Sequence, residues 1–218
     1  MVATPIGNLE DISLRAKRIL LETPVIACED TRHTGNLLKI INNQESITKK
    51  YISIRDFNEA QVIDKIILEL QTKDVALVSD AGTPLVSDPG YKLINKCKSL
   101  NINVVPVPGP CAAITALSVS GLPTNKFTFL GFLPKKWKIR PQETTIIYES
   151  PIRIQKTVAE IRSRYPNSRI VLAHELTKIH EKIWELGFEN WDLQIPHKGE
   201  FVILVYLKED SAQSYPQE

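Results

Sequence analysis

The sequence predicts an α/β fold, with parallel crossover units in its first half and a second, smaller α/β region after them. Three observations carry this expectation. Strand-sized apolar runs alternate with segments of helical periodicity, the pattern of β-α-β units. Glycines and prolines gather where the apolar runs end. The 218 residues, 43% hydrophobic and 24% charged, have an ordinary soluble composition and suffice to bury a core unaided.

Each element follows in turn. Asp11 is expected to cap a helix through Leu21 whose stripe is Ile12, Ala16, Ile19 and Leu20. Pro24–Cys28 is a short buried strand ending in the acidic pair Glu29-Asp30. Asn58 starts a helix carrying Val62, Ile63, Ile66, Ile67 and Leu70, and Val75–Val78 is the next strand. Asp88-Pro89 reads as cap and first residue of a helix through Leu100. A strand over Ile102–Val107 leads to Pro110, which opens the helix Cys111–Val119. Beyond Gly121-Leu122-Pro123-Thr124 come strands Phe127–Phe132, Thr145–Tyr148 and Arg169–Ala173. A helix over Ile152–Tyr165 and a last strand over Phe201–Leu207 complete the set. The expected domains are therefore 1–122 and 123–218, with a frayed tail from Ser211.

Net charge is only +2 with a pI of about 8.3, which demands no nucleic-acid partner yet allows a local basic patch. Three cysteines at wide spacing offer neither a disulfide framework nor a zinc motif. No apolar run approaches the roughly 18 residues of a membrane span, and Met1–Pro5 lacks the basic and apolar regions of a secretory signal. The expectation is a reducing, cytoplasmic setting with no membrane and no metal.

Four glycine- and proline-rich segments lie at expected strand ends: Thr4–Asn8, Asp80–Pro84, Ser87–Gly90 and Pro106–Pro110. In open α/β sheets the ligand crevice lies beyond the carboxyl ends of the strands. Glycine lets backbone approach a ligand there and proline fixes the loop in advance; the plainer alternative is tight strand-to-helix turns. The common phosphate loop, the dinucleotide fingerprint, a zinc-helix motif and a nucleophile elbow are all absent.

The longer motifs are more specific. Val2–Leu9, Ala27-Cys28-Glu29-Asp30-Thr31-Arg32-His33-Thr34-Gly35 and Val78–Tyr91 stand with Pro108-Gly109-Pro110 and Ser120–Thr124. Together with Leu130–Pro134 and Tyr148-Glu149-Ser150-Pro151, they closely resemble the ribosomal RNA small-subunit methyltransferase I family of the tetrapyrrole methylase superfamily. The resemblance covers nearly the whole chain. It implies a tetrapyrrole methylase-like fold of two α/β domains with S-adenosylmethionine in the cleft between them. It also implies a homodimer, and 2′-O-methylation of a cytidine in the decoding region of 16S rRNA in the 30S subunit. By motif position the cofactor contacts would be Pro5, Asp80, Ala81, Gly82, Thr83, Pro84, Asp88, Ala112, Ala113, Leu130 and Gly131. Two departures stand out. Tyr51–Asn58 lacks the family's histidines and is expected to take no part in substrate binding, and the stretch from Pro134 to Thr145 is short.

The chemistry agrees with such loops. A sulfonium needs nearby oxygens, an adenine needs apolar walls, and a carboxylate suits a helix start such as those after Asp88-Pro89 or Pro110. Orienting hydroxyl and methyl can contribute roughly 7–11 kcal/mol, against about 10²–10⁴-fold from a base. Candidate bases are Asp30, Glu29 and Glu149, with Asp80 expected to brace its own loop; the alternative for Glu29-Asp30 is to cap a helix near Thr31. Candidate RNA contacts are Arg32, His33, Lys135, Lys136, Arg153 and Lys178, the alternative for Lys178 being a surface pair with Glu175. Lys126–Gln142 holds five cations and no anion, with Trp137 interleaved as a stacking surface or, alternatively, a solvated loop. Two competing functions keep part of this: a tetrapyrrole C-methyltransferase, and a ribosome-assembly RNA-binding factor without catalysis.

Overall fold

The computed structural model describes residues 1–45, 48–187, 189, 191–192 and 195–208. The chain divides into two compact units between Cys111 and Ala112, ahead of the expected position at Leu122. The helix over Ala112–Val119 belongs with the second unit because it packs on that unit's strands.

The first unit is wound on a parallel sheet. Helix α1 (Leu14–Glu22) precedes β1 (Val25–Cys28), α2 (Thr31–Ile41), β2 (Lys50–Ser53), α3 (Glu59–Leu70), β3 (Val75–Leu77) and α4 (Tyr91–Ser99). The strand order is β2-β1-β3, with β1 parallel to both neighbours. Central β1 is apolar throughout because both its faces are covered. Successive side chains alternate between faces. Ile26 and Cys28 join Ala16, Leu20, Leu37, Leu38 and Ile41 from α1 and α2. Val25 and Ala27 join Ile66, Leu93 and Cys97 from α3 and α4.

Local chemistry moved several expected boundaries. Asp11 ends a short 3₁₀ turn, Leu9–Asp11, and Ser13 caps α1 instead, its Oγ accepting from the Ala16 amide at 3.0 Å. Pro89 does not open α4, which starts at Tyr91 after Gly90. The expected strand over Ile102–Val107 shrinks to one parallel bridge between Val107 and Val2, since Pro106 and Pro108 have no amide to donate. Main-chain bonds from Val2 to Leu77 (2.9 Å) and from Ala3 to Val107 (3.2 Å) extend the sheet past β3. Strand β2 was not legible, being a polar edge.

The second unit opens with α5 (Ala112–Val119), then β4 (Phe127–Phe132), β5 (Thr144–Glu149), α6 (Ile154–Arg164), β6 (Arg169–His174), β7 (Lys182–Glu185) and β8 (Phe201–Tyr206). Its sheet runs β4-β5-β8-β6-β7, parallel only between β4 and β5. The last strand of the sequence thus sits centrally, which explains the run Phe201–Val205 buried on both faces. Ile154, Val158, Ile161 and Tyr165 carry α6 into the core with Ile147, Ile170, Leu172 and Ile203. Trp137, expected as a stacking surface, is instead part of this core at 8% exposure. No helix among the described residues is long and apolar enough to cross a membrane.

Candidate active site

In the first unit, the loops that follow the strands are sewn together by main chain. Thr4 and Gly82 exchange both backbone bonds, at 2.9 and 3.1 Å. The Thr83 hydroxyl donates to the Pro110 carbonyl at 2.9 Å, and the buried Thr4 hydroxyl reaches the Ser79 carbonyl at 3.4 Å. Asp80 ties a further loop: its Oδ1 accepts from the Asp30 amide at 3.0 Å. Asp80 therefore braces the loop after β1, where its own loop was expected.

Glycine serves the packing of these loops on one another. Gly82 has φ +80°, and a Cβ on it would lie 3.2 Å from Ile6 Cγ2 and 3.5 Å from the Pro110 carbonyl. A Cβ on Gly109 would lie 2.8 Å from that of Ala3. These positions let loop pack on loop. The same stretch holds Leu85 at φ +74° and Ser87 at φ +70°. Left-handed non-glycine residues cost about 1–3 kcal/mol each and cluster where a site must be held in shape.

The carboxylates divide by environment. Asp30 is the cap of α2, its Oδ1 accepting from the Arg32 and His33 amides at 2.8 and 3.3 Å. The Arg32 guanidinium and those amides pull its carboxyl down to about 2, which makes it a poor proton acceptor. Burial, then the Asp80 charge, pushes Glu29 above its ordinary value, against the pull of Arg55. Burial pushes Asp88 to about 6, with Glu29, Asp80 and Asp56 adding to the rise and a Ser79 hydrogen bond opposing it. The carboxyl edge of this unit is therefore acidic. Within it Pro5, Thr83 and Asp88 are half-buried, Gly82 and Pro84 buried and Ala81 exposed. Arg32 and His33 are exposed on the first turn of α2.

Each helix start expected to receive a carboxylate already has one amide engaged. Glu59, itself buried, accepts from the Leu93 amide in the first turn of α4 at 3.0 Å. The Ala113 amide at the start of α5 donates to the Tyr148 hydroxyl at 3.1 Å. Sequence reasoning also missed Arg55, whose Nε donates to the Glu29 carbonyl at 3.2 Å and whose Nη2 lies 3.8 Å from Asp30. The segment Tyr51–Asn58 thus joins this edge. Its turn is locked by Asn58 Oδ1 accepting from the Arg55 amide at 2.7 Å, a contact with no local sequence signature.

In the second unit Ala112 is half-buried and Ala113 buried. Gly131 takes φ +60° at a bulge where Leu130 is the extra residue, since Phe129 pairs with Ile146 and Gly131 with Ile147. Glu149 is 4% exposed and accepts from the Thr157 hydroxyl (2.7 Å), the Ser150 amide (2.8 Å) and Arg153 (2.8 Å). That geometry engages three of the roughly four lone-pair sites of the carboxylate and braces the start of α6. Arg153 is correspondingly engaged, its guanidinium also 5.9 Å from the Phe132 ring. Lys178 is held between Glu175 (3.0 Å) and Glu200 (2.8 Å), while Lys135 and Lys136 are exposed. Among the described residues no cluster of histidine, cysteine or acidic side chains could hold a metal ion.

Residues 1–190 match the family model of Tetrapyrrole (Corrin/Porphyrin) Methylases. The chain belongs to this family. Within it, the chain is 44% identical to the Ribosomal RNA small subunit methyltransferase I of Vibrio cholerae, over 100% of this chain and 80% of that protein. It is 50% identical to the protein of the same name from Hydrogenobaculum, over 84% of this chain and 82% of that one. These identities place the tetrapyrrole methylase described above among the ribosomal RNA small subunit methyltransferase I proteins. The fold is shared with the Thermus thermophilus uroporphyrin-III C-methyltransferase complexed with S-adenyl homocysteine. That similarity has a TM-score of 0.62 at 16% identity, over 93% of this chain and 94% of the other.

Proposed function

We propose that this chain is an S-adenosylmethionine-dependent rRNA methyltransferase whose target is the ribose 2′-hydroxyl of a cytidine in the decoding region of 16S rRNA, within the 30S subunit. The observation that carries this reading is the pre-assembled acidic carboxyl edge of the first unit, in a chain 44% identical to a protein named for rRNA methylation. When bound, the cofactor supplies an electrophilic methyl on a sulfonium. The protein's own residues fit such a group. Pro5, Gly82, Thr83 and Pro84 offer a fixed main-chain surface, and Asp80 and Asp88 supply negative potential for a cation. Ala112, Ala113, Leu130 and Gly131 are carried in the proposal as small or apolar contacts.

Alignment of the hydroxyl does most of the work, worth roughly 7–11 kcal/mol. Of the candidate bases, Asp30 is weakened by Arg32, and Glu149 is 4% exposed and already accepts from three donors. Glu29 remains: its carboxylate makes no hydrogen bond among the described residues, and burial has raised its basicity. It takes the hydroxyl proton as the oxygen attacks. Arg32 and His33, exposed beside it, hold the nucleotide's phosphate or sugar. The protein works in the cytoplasm as a homodimer.

Incubation with unmodified 30S subunits and methyl-labelled S-adenosylmethionine tests this. Label is expected in 16S rRNA as 2′-O-methylcytidine, inside an alkali-resistant dinucleotide. Label on a base, or entering a tetrapyrrole acceptor and not RNA, refutes the reading. Calorimetry with cofactor alone separates a non-catalytic RNA-binding factor, which would give no heat up to millimolar concentration.

A further inference from the structure

Residues 135–140 have no regular secondary structure, yet they are not a loose loop. Their side chains alternate: Trp137 and Ile139 are 8% and 3% exposed, while Lys135, Lys136, Lys138 and Arg140 face solvent. The anchors come from the end of α6. The Arg164 guanidinium lies 4.0 Å from the centre of the Trp137 ring and donates to the Trp137 carbonyl at 2.8 Å. The Tyr165 hydroxyl accepts from the Ile139 amide at 3.1 Å, and the Trp137 and Tyr165 rings are 6.1 Å apart. Two acidic groups of this region, among the described residues, are occupied. Glu160 pairs with Arg164 at 3.2 Å, and Glu143 accepts from the Thr128 hydroxyl at 2.8 Å.

We infer that residues 135–140 form a prefabricated cationic strap that grips the RNA phosphate backbone, with Arg164 as its positioning residue. The inference rests on the rRNA reading above and deepens it: it adds Lys138 and Arg140 to the contacts and turns Trp137 from a stacking surface into an anchor. The chemistry is that of phosphate contact. A cluster of cations without interspersed anions attracts the backbone regardless of sequence. In a floppy loop, each residue immobilised on binding would lose about 1–2 kcal/mol of backbone freedom. Clamping the alternate side chains into the core meets that cost during folding, so binding does not bear it again.

The salt dependence of binding to a 16S rRNA transcript tests the strap. Each lost phosphate contact should flatten the plot of log affinity against log salt by about 0.7–0.9. The combined variant Lys135→Gln, Lys136→Gln, Lys138→Gln, Arg140→Gln is therefore expected to lower the slope by about 3, with cofactor affinity and urea midpoint unchanged. An unaltered slope overturns the proposal. Arg164→Met keeps an unbranched stem on Trp137 but removes the donor. It should weaken RNA binding about tenfold with little change of slope, and should expose the bonds after Lys136 and Lys138 to trypsin before the rest of the chain. Unchanged RNA affinity in a variant whose strap is cut overturns the positioning role. The methylation assay on 30S subunits keeps the two levels apart. A wild-type enzyme that methylates rRNA but binds it without salt dependence sinks the strap alone, and one that neither binds nor methylates RNA sinks both.

Discussion

Replacing Gly109 by alanine adds one methyl where two segments of the first unit meet closely. The new Cβ would lie 2.8 Å from the Ala3 Cβ, where apolar carbons prefer about 3.5–4.0 Å, so the two segments must part by roughly 1 Å. Ala3 has nowhere to retreat: it is 2% exposed, its amide is bonded to Val107 at 3.2 Å, and the next residue is bonded to Gly82. Overpacking of this kind costs about 1–3 kcal/mol, and with a urea m-value near 2 kcal/mol per molar it lowers the midpoint by about 0.5–1.5 M. Cofactor affinity should fall as well, because both segments run into the sewn loops. The second substitution decides the cause. Ala3→Gly removes the opposing methyl, so the double variant should be more stable than the two single effects add up to, with a coupling of about 1–2 kcal/mol. Equilibrium urea unfolding of the four proteins gives that number. Additive losses, or an unmoved midpoint in Gly109→Ala, would refute the contact argument.

Two further outcomes are expected. Asp88, at about 6 in the folded state, holds its proton more tightly than the unfolded chain does, so stability falls as pH rises from about 4 to about 6 and the penalty is fully present above that. Asp88→Asn should flatten that window and stabilise the protein at pH 7.5 by about 1 kcal/mol, the value being discounted for partial solvent access; thermal unfolding across pH reads it, and an unchanged slope contradicts it. Arg153→Met leaves the buried Glu149 carboxylate with only the Thr157 and Ser150 donors and should destabilise the protein by about 1–3 kcal/mol. Urea unfolding measures this, and Glu149→Gln in the same background should recover part of it.

Much of this protein was legible locally. The strands over Phe127–Phe132 and Phe201–Tyr206, the helix begun by Asn58 and the buried run before Glu29 declared themselves. Burial period and β-propensity are properties of a few consecutive residues. So was the family, because Asp80–Gly90 and Ala27–Gly35 are long motifs, and with them the location of the loops beyond the strands. Tertiary structure decided what each polar group in those loops is doing. Nothing near Asp80 announces that it will hold the Asp30 amide, nor does Glu59 announce that it will hold the Leu93 amide of α4, thirty-four residues on. Arg55 looked irrelevant until β2 took its place beside β1 and brought it to Glu29. Trp137 changed from a surface ring to a core one because α6 delivers Arg164 and Tyr165 against it. A sequence states each residue's capacity to donate, accept or be buried. Which capacity is used depends on a partner distant in the chain, and only the folded geometry supplies that partner.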